Sequence, residues 1–182
     1  MYSLRDIVAI PSIRQQAMDI VKGICPDNPN IVEIGSSRRF TQEAVQMEGL
    51  ISLHLLDLCD EKQGEYWSVD IDPITAFALD KIFVGHAAHA ICQNGEEWSK
   101  SFENPIDVLV LDSMDVGLEG YKEHHRNLYL NLRERLQKDS ILVLDDVYPI
   151  DGLGKGELVL PLAIEDGFKY LMQGYVVVMR RD

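Results

Sequence analysis

The chain has 182 residues, 46% of them hydrophobic, which suits one domain with a single sizeable core. Its 30 acidic against 17 basic side chains give a formal net charge of −13, a balance that repels a phosphate backbone, so nucleic acid is not expected as a main partner. Cys25, Cys59 and Cys92 are widely spaced without a CxxC pair, which argues against a disulfide framework or zinc site and for a reducing, cytoplasmic setting. The N-terminus MYSLRDIVAIPSIRQQ lacks a signal-peptide core, and no run approaches the ~18 apolar residues that span a bilayer, so no membrane partner is expected.

In chain order, residues 3 to about 24 read as a helix broken near Pro11 and ended by the turn-rich CPDNPN. Residues 1–29 form an N-terminal helical segment and residues 30–182 the main unit of a single domain. IVEIG (31–35) is strand-like, and FTQEAVQMEGL opens a helix with Thr41 as its cap. ISLHLLDLC (51–59) fits a helix or a strand equally well. EYWSVDID (65–72) is a strand, Pro73 starts the next helix, HAICQ (89–93) is a weaker strand and GEEWSKSF a short helix. IDVLVLD (106–112) and SILVLDDV (140–147) are buried-strand runs flanking a helical stripe at Leu118, Tyr121, Leu128, Leu132 and Leu136. After the turn DGLGKG, ELVLPLAIEDG reads as helical up to Pro161, and FKYLMQ with YVVVMRR makes a hairpin.

Strands alternating with helices imply a mostly parallel sheet covered on both faces, with ligands gathered at the carboxyl ends of the strands. Glu33, Asp70 with Asp72, Asp112, and Asp145 with Asp146 all fall at such ends. Carboxylates crowded on one rim repel each other, so something positive is expected among them. A nicotinamide dinucleotide fits badly. The turn G-S-S-R-R-F keeps only the first glycine of a GxGxxG fingerprint, and the next strand-end acid, Asp70, comes about 35 residues on rather than about 20. S-adenosylmethionine fits better, since it carries a sulfonium, an ammonium and a carboxylate but no phosphate. An acid at the first strand end suits its ammonium, hydroxyls of Ser36, Ser37 or Thr41 suit its carboxylate, and an acid at the second strand end can accept both ribose hydroxyls.

VEIGSSRRFT resembles motif I of class I methyltransferases, and WSVDIDP their second-strand motif. DVLVLDSMD and ILVLDDV resemble the fourth- and fifth-strand motifs of the metal-dependent, catechol-type O-methyltransferases. The resemblance implies a Rossmann-like, doubly wound α/β fold with a seven-stranded sheet and a C-terminal antiparallel hairpin. It implies cofactor contacts from Glu33, Gly35, Ser36, Ser37, Thr41, Asp70, Ile71, Asn94, Gly95 and Asp112. It also implies a divalent cation, Mg²⁺ by default, on Asp112, Asp145 and Asp146, holding an acceptor hydroxyl for O-methylation of a small-molecule substrate. For the two adjacent acids to share that ion, the strand must end and turn at Asp145–Asp146.

Two departures stand out. Arg39 occupies the second glycine position of motif I, after Arg38, and Asp115 occupies the position of the family's lysine base. Asp112 and Asp115 are the remaining candidates for catalysis. His125 falls on the apolar stripe and reads as a packed core residue, Trp67 and Trp98 as core aromatics, and Tyr148 as either pocket or packing. The short N-terminal segment leaves an open pocket or one completed in a homo-oligomer equally compatible. The rivals are a metal-independent methyltransferase and a module that binds the cofactor without catalysis.

Overall fold

The structure is a computed structural model that describes residues 12–38, 51–147 and 154–182. The expected cap at Thr41, the replaced glycine position at Arg39 and the Tyr148 side chain lie outside those residues. Seven strands form one sheet in the order β3-β2-β1-β4-β5-β7-β6. They are β1 (Asn30–Ile34), β2 (Glu65–Asp70), β3 (Ala88–Cys92), β4 (Ile106–Leu111), β5 (Leu136–Leu144), β6 (Phe168–Met172) and β7 (Val177–Arg181). The first five pair in parallel, and β7 runs antiparallel between β5 and β6. The expected mixed sheet with its terminal hairpin is present.

Alternation along the central strands sends successive side chains to opposite faces. Val32, Ile34, Leu109, Leu111, Leu142 and Leu144 join one apolar cluster, and Ile31, Val108, Val110, Ile141 and Val143 join the other. On the first face α5 (Tyr121–Leu132) contributes Leu128 and Leu132, and α4 (Gly95–Ser101) contributes Trp98. On the second face lie Met18 and Val21 of α1 (Ile13–Ile24) and Leu55 of α2 (Ile51–Lys62). The segment 51–59 is therefore helical. Its buried residues Ile51, Leu55, Leu58 and Cys59 follow helical spacing, and a strand would have split them between two faces.

Helix starts follow local chemistry. Ser12 caps α1 by accepting from the Gln15 backbone N–H at 3.1 Å, just past Pro11. Asp72 caps α3 (Pro73–Ile82) and Asn94 caps α4. One expected boundary is reversed: α6 (Leu160–Glu165) has Pro161 in its first turn instead of at its end, because proline tolerates a first helical turn where its missing N–H costs nothing. Among the described residues no helix is long and apolar enough to cross a membrane.

Candidate active site

A cavity of about 520 Å³ opens at the carboxyl ends of β1, β2 and β4. Its floor is set by Gly35, whose φ of +87° ends β1 in a left-handed turn. A Cβ there would lie 2.3 Å from the Ser113 backbone nitrogen, so glycine is what lets the β1 and β4 ends close on each other. Asp70, at the end of β2, lines the cavity and accepts from the Ser36 N–H at 2.9 Å and the Asp72 N–H at 2.8 Å, one on each oxygen. Each oxygen keeps a second lone pair, so the carboxylate is held in place with capacity for two more donors. Ile71, Asn94 and Gly95 complete the wall beside it, and a Cβ on Gly95 would press to 2.5 Å from the Ile34 side chain.

Ser36 and Ser37 turn away from the cavity. The Ser36 hydroxyl pairs with that of Ser68 at 2.7 Å, and the Ser37 N–H donates to the Ser52 hydroxyl at 2.8 Å. Glu33 does not face the cavity either. It lies on the opposite face of β1 at 1% exposure, accepting from Tyr66 and Ser68 hydroxyls at 2.6 Å each and from Ser52 at 2.9 Å. Burial pushes its carboxyl up to about 7 against the opposing pull of those three hydroxyls. Glu33 thus ties the turn after β1 to α2 and β2 rather than offering itself to a ligand. Thr41 lies outside the described residues.

The other wall was not anticipated from sequence. Ser113 pairs with His124 Nε2 at 2.9 Å, and His124 Nδ1 with Glu96 at 2.7 Å, so three cavity-lining residues form one hydrogen-bonded chain from the turn after β4 through α5 to α4. Met114 lines the cavity with φ of +46°, a left-handed value that marks a constrained turn at the site. His125, the next residue, is buried as expected, with Nδ1 on the Tyr121 carbonyl at 2.7 Å and Nε2 unpartnered among the described residues. At the mouth Arg38 meets both oxygens of Asp115 at 3.2 Å, so this carboxylate is engaged by a guanidinium and stands as a gatepost more than a base.

Asp112, Asp145 and Asp146 do gather at the β4 and β5 ends, and β5 ends at Leu144 with Asp146 turned by a φ of +51°. The turn expected for shared ligation is present, but it serves other partners. Arg14 of α1 reaches Asp145 at 2.6 Å, while the buried Lys155 ammonium lies 2.7 Å from Asp112 and 2.9 Å from Asp146. Tyr175 also donates to Asp146. Burial and the neighbouring carboxylates push Asp112 up to about 7, with Lys155 opposing, and the Lys155 and Tyr175 bonds hold Asp146 below the usual carboxylate range. Among the described residues no three acid, histidine or cysteine side chains come together as a cage for a metal ion. The residues present do not fit a divalent cation, because the chain's own cations already occupy the carboxylates. The rim's charge did demand something positive; Lys155, 43 residues from Asp112, and Arg14, 131 residues from Asp145, supply it.

Sequence comparison places residues 32–147 in a family described as a methyltransferase domain. Among curated proteins no sequence matches the chain significantly. Solved structures of similar fold include the SAH-bound Podospora anserina methyltransferase PaMTH1, at 15% identity and TM-score 0.62, with 92% of this chain and 76% of that one covered. An rRNA methylase from Streptococcus thermophilus aligns at 12% identity and TM-score 0.57 over 96% and 98% of the two chains. TrmN from Thermus thermophilus aligns at 12% identity and TM-score 0.63 over 94% of this chain but only 49% of its own. The expectation that nucleic acid is excluded does not survive: a fold shared with a protein described as an rRNA methylase serves such acceptors, and net charge averages over surface that an acceptor never touches. By its family model, which covers well over half of the sequence, and by its fold, this chain belongs to the class I S-adenosylmethionine-dependent methyltransferases.

Proposed function

We propose that the protein transfers the methyl group of S-adenosylmethionine to an oxygen nucleophile brought to the rim beside Asp112. What supports this is the construction of the cavity, with a glycine turn that leaves backbone facing the ligand and Asp70 braced with two lone pairs in reserve. Asp70 takes the ribose hydroxyls, Gly35 lies under the methionine chain, and Ile71, Asn94 and Gly95 border the adenine.

Asp112 immediately precedes Ser113 of the cavity wall, and its side chain keeps 26% exposure, so an acceptor can reach it. Burial and the neighbouring carboxylates raise the Asp112 carboxyl above the ordinary carboxylate range, which suits it to general-base work. In the reaction the acceptor O–H passes its proton to the Asp112 carboxylate. The oxygen then attacks the methyl carbon in line, and the sulfur departs with the bonding pair as a neutral thioether. Alignment of the two reactants supplies most of the acceleration. Oxygen chemistry also follows from the catechol-type resemblance of DVLVLDSMD and ILVLDDV.

The test combines calorimetry with S-adenosylhomocysteine and a methyl-transfer assay against small hydroxylated compounds and RNA. RNA belongs in the panel because a neighbour of this fold is described as an rRNA methylase. Asp70→Ala is expected to weaken S-adenosylhomocysteine binding roughly 10- to 100-fold, the equivalent of one or two lost charge-assisted hydrogen bonds. Absence of binding by the unaltered protein at millimolar ligand would reject the proposal.

A further inference from the structure

Lys155 sits between two glycines in the turn Gly154–Gly156, a position where a lysine ordinarily points into water. Here its side chain is only 1% exposed. An ammonium has three hydrogens and no acceptor capacity, and this one has three acceptors: Asp112 Oδ1 at 2.7 Å, Asp146 Oδ2 at 2.9 Å and the Asp112 carbonyl at 3.3 Å. Burying a lysine head is costly unless it is paired and bonded in this way.

The surrounding backbone is shaped to deliver it. The Lys155 N–H donates to the Asp146 carbonyl at 3.2 Å, which holds its backbone against the residues that end β5. At Gly156 a Cβ would come within 2.9 Å of the Leu160 side-chain methyl, so a larger residue there would make Leu160 shift. Asp146 accepts a left-handed backbone, φ +51°, and so presents its carboxylate to the ammonium. The third acid of the rim, Asp145, is matched separately by Arg14.

We propose that Lys155 is the resident cation of the β4–β5 rim, standing where a divalent ion would otherwise bind, so that methyl transfer by this protein is metal-independent. This rests on the methyltransferase reading above. A metal ion about 2.1 Å from the same oxygens would lie against a fixed ammonium, and the two cations would repel strongly at that separation in a site screened from water. Lysine and metal therefore exclude each other. Lys155 acts through Asp112: it holds the carboxylate in position and carries the positive charge, while the acceptor proton goes to the acid rather than being lost from a metal-polarised hydroxyl. It is a positioning residue.

The test is a Mn²⁺ titration of the full chain followed by electron paramagnetic resonance, on the unaltered protein, Lys155→Ala and Lys155→Arg, with S-adenosylhomocysteine calorimetry in parallel. The unaltered protein and Lys155→Arg are expected to bind no Mn²⁺ at millimolar concentration, and S-adenosylhomocysteine affinity is expected to be equal in EDTA and in excess Mg²⁺. Lys155→Ala, with Asp112 and Asp146 stripped of that ammonium, is expected to gain a single Mn²⁺ site. A stoichiometric Mn²⁺ site in the unaltered protein overturns the proposal. So does a Lys155→Ala variant that still binds S-adenosylhomocysteine yet takes up no Mn²⁺. If Lys155→Ala does not fold, the titration of the unaltered protein decides alone. If S-adenosylhomocysteine fails to bind the unaltered protein, the methyltransferase reading falls while the Mn²⁺ result still judges Lys155.

Discussion

Replacing Glu33 by glutamine should change how stability responds to pH, in a direction the structure fixes. Glu33 is buried at 1% exposure and its carboxyl is pushed up to about 7 from an ordinary 4.5. The folded protein therefore holds a proton there over a range in which the unfolded chain has released it. More protons bound in the folded state means that stability falls as pH rises, so the contribution is fully present below pH 4.5 and lost on passing through pH 7. At about 1.4 kcal/mol per pH unit, the whole interval corresponds to roughly 3 kcal/mol. Glutamine does not titrate, so Glu33→Gln should gain on the parent protein by that amount between pH 4.5 and 7.5, with a plateau above.

The comparison must be a difference between the two proteins. His125 is held down to about 4 by burial, so it contributes stability that is lost on acidification, opposite in sign to Glu33, and both proteins carry it. Urea unfolding at several pH values, followed by the fluorescence of Trp67 and Trp98, gives the two curves. A difference that stays flat or falls with pH would refute the reasoning, and with it the view of Glu33 as a buried tie rather than a ligand contact.

Gly35→Ala places a methyl against the Ser113 backbone at a φ of +87°, two faults that no rotamer change relieves. Its expected cost exceeds about 2 kcal/mol, with loss of S-adenosylhomocysteine binding; a variant that binds normally would contradict the closed β1–β4 turn. Arg14→Met strips a buried carboxylate of its cation and should cost about 3 kcal/mol in denaturant unfolding, whereas Arg14→Met combined with Asp145→Leu should recover much of that loss. Additive costs in that cycle would show the pair to be uncoupled. Asn94→Ala removes the side chain that accepts from Glu96 and Glu97 N–H groups at the start of α4, for an expected loss of about 1 kcal/mol measured by the same unfolding experiment.

Much of the fold was legible because buried parallel strands announce themselves. IDVLVLD and SILVLDDV are too apolar for a half-exposed element, and Pro73 and Gly35 punctuate their neighbours as local sterics require. Pro161 misled because proline ends one helix and begins another equally well, and only the packing of Leu160 and Ala163 decides. At the site, Gly35, Asp70, Ile71, Asn94, Gly95 and Asp115, singled out from positions near strand ends, lie on the cavity wall. Glu33 was misplaced because the strand period puts it on the face opposite Ile34, a deduction available from alternation alone. Arg14, His124 and Lys155 were missed because each pairs across elements that only the folded sheet brings together: Arg14 with Asp145, His124 with Glu96 and Lys155 with Asp112. Counting the acids on the rim showed that cations were required, and the sequence holds no local sign of whether they come from solution or from a glycine-flanked lysine.

The most direct measurement of the central claim is a crystal structure grown with S-adenosylhomocysteine. The proposed site requires the ligand in the cavity at the β1, β2 and β4 ends, both ribose hydroxyls on the Asp70 carboxylate and the homocysteine chain above Gly35. A ligand bound elsewhere, or Asp70 turned from the ribose at full occupancy, would contradict it.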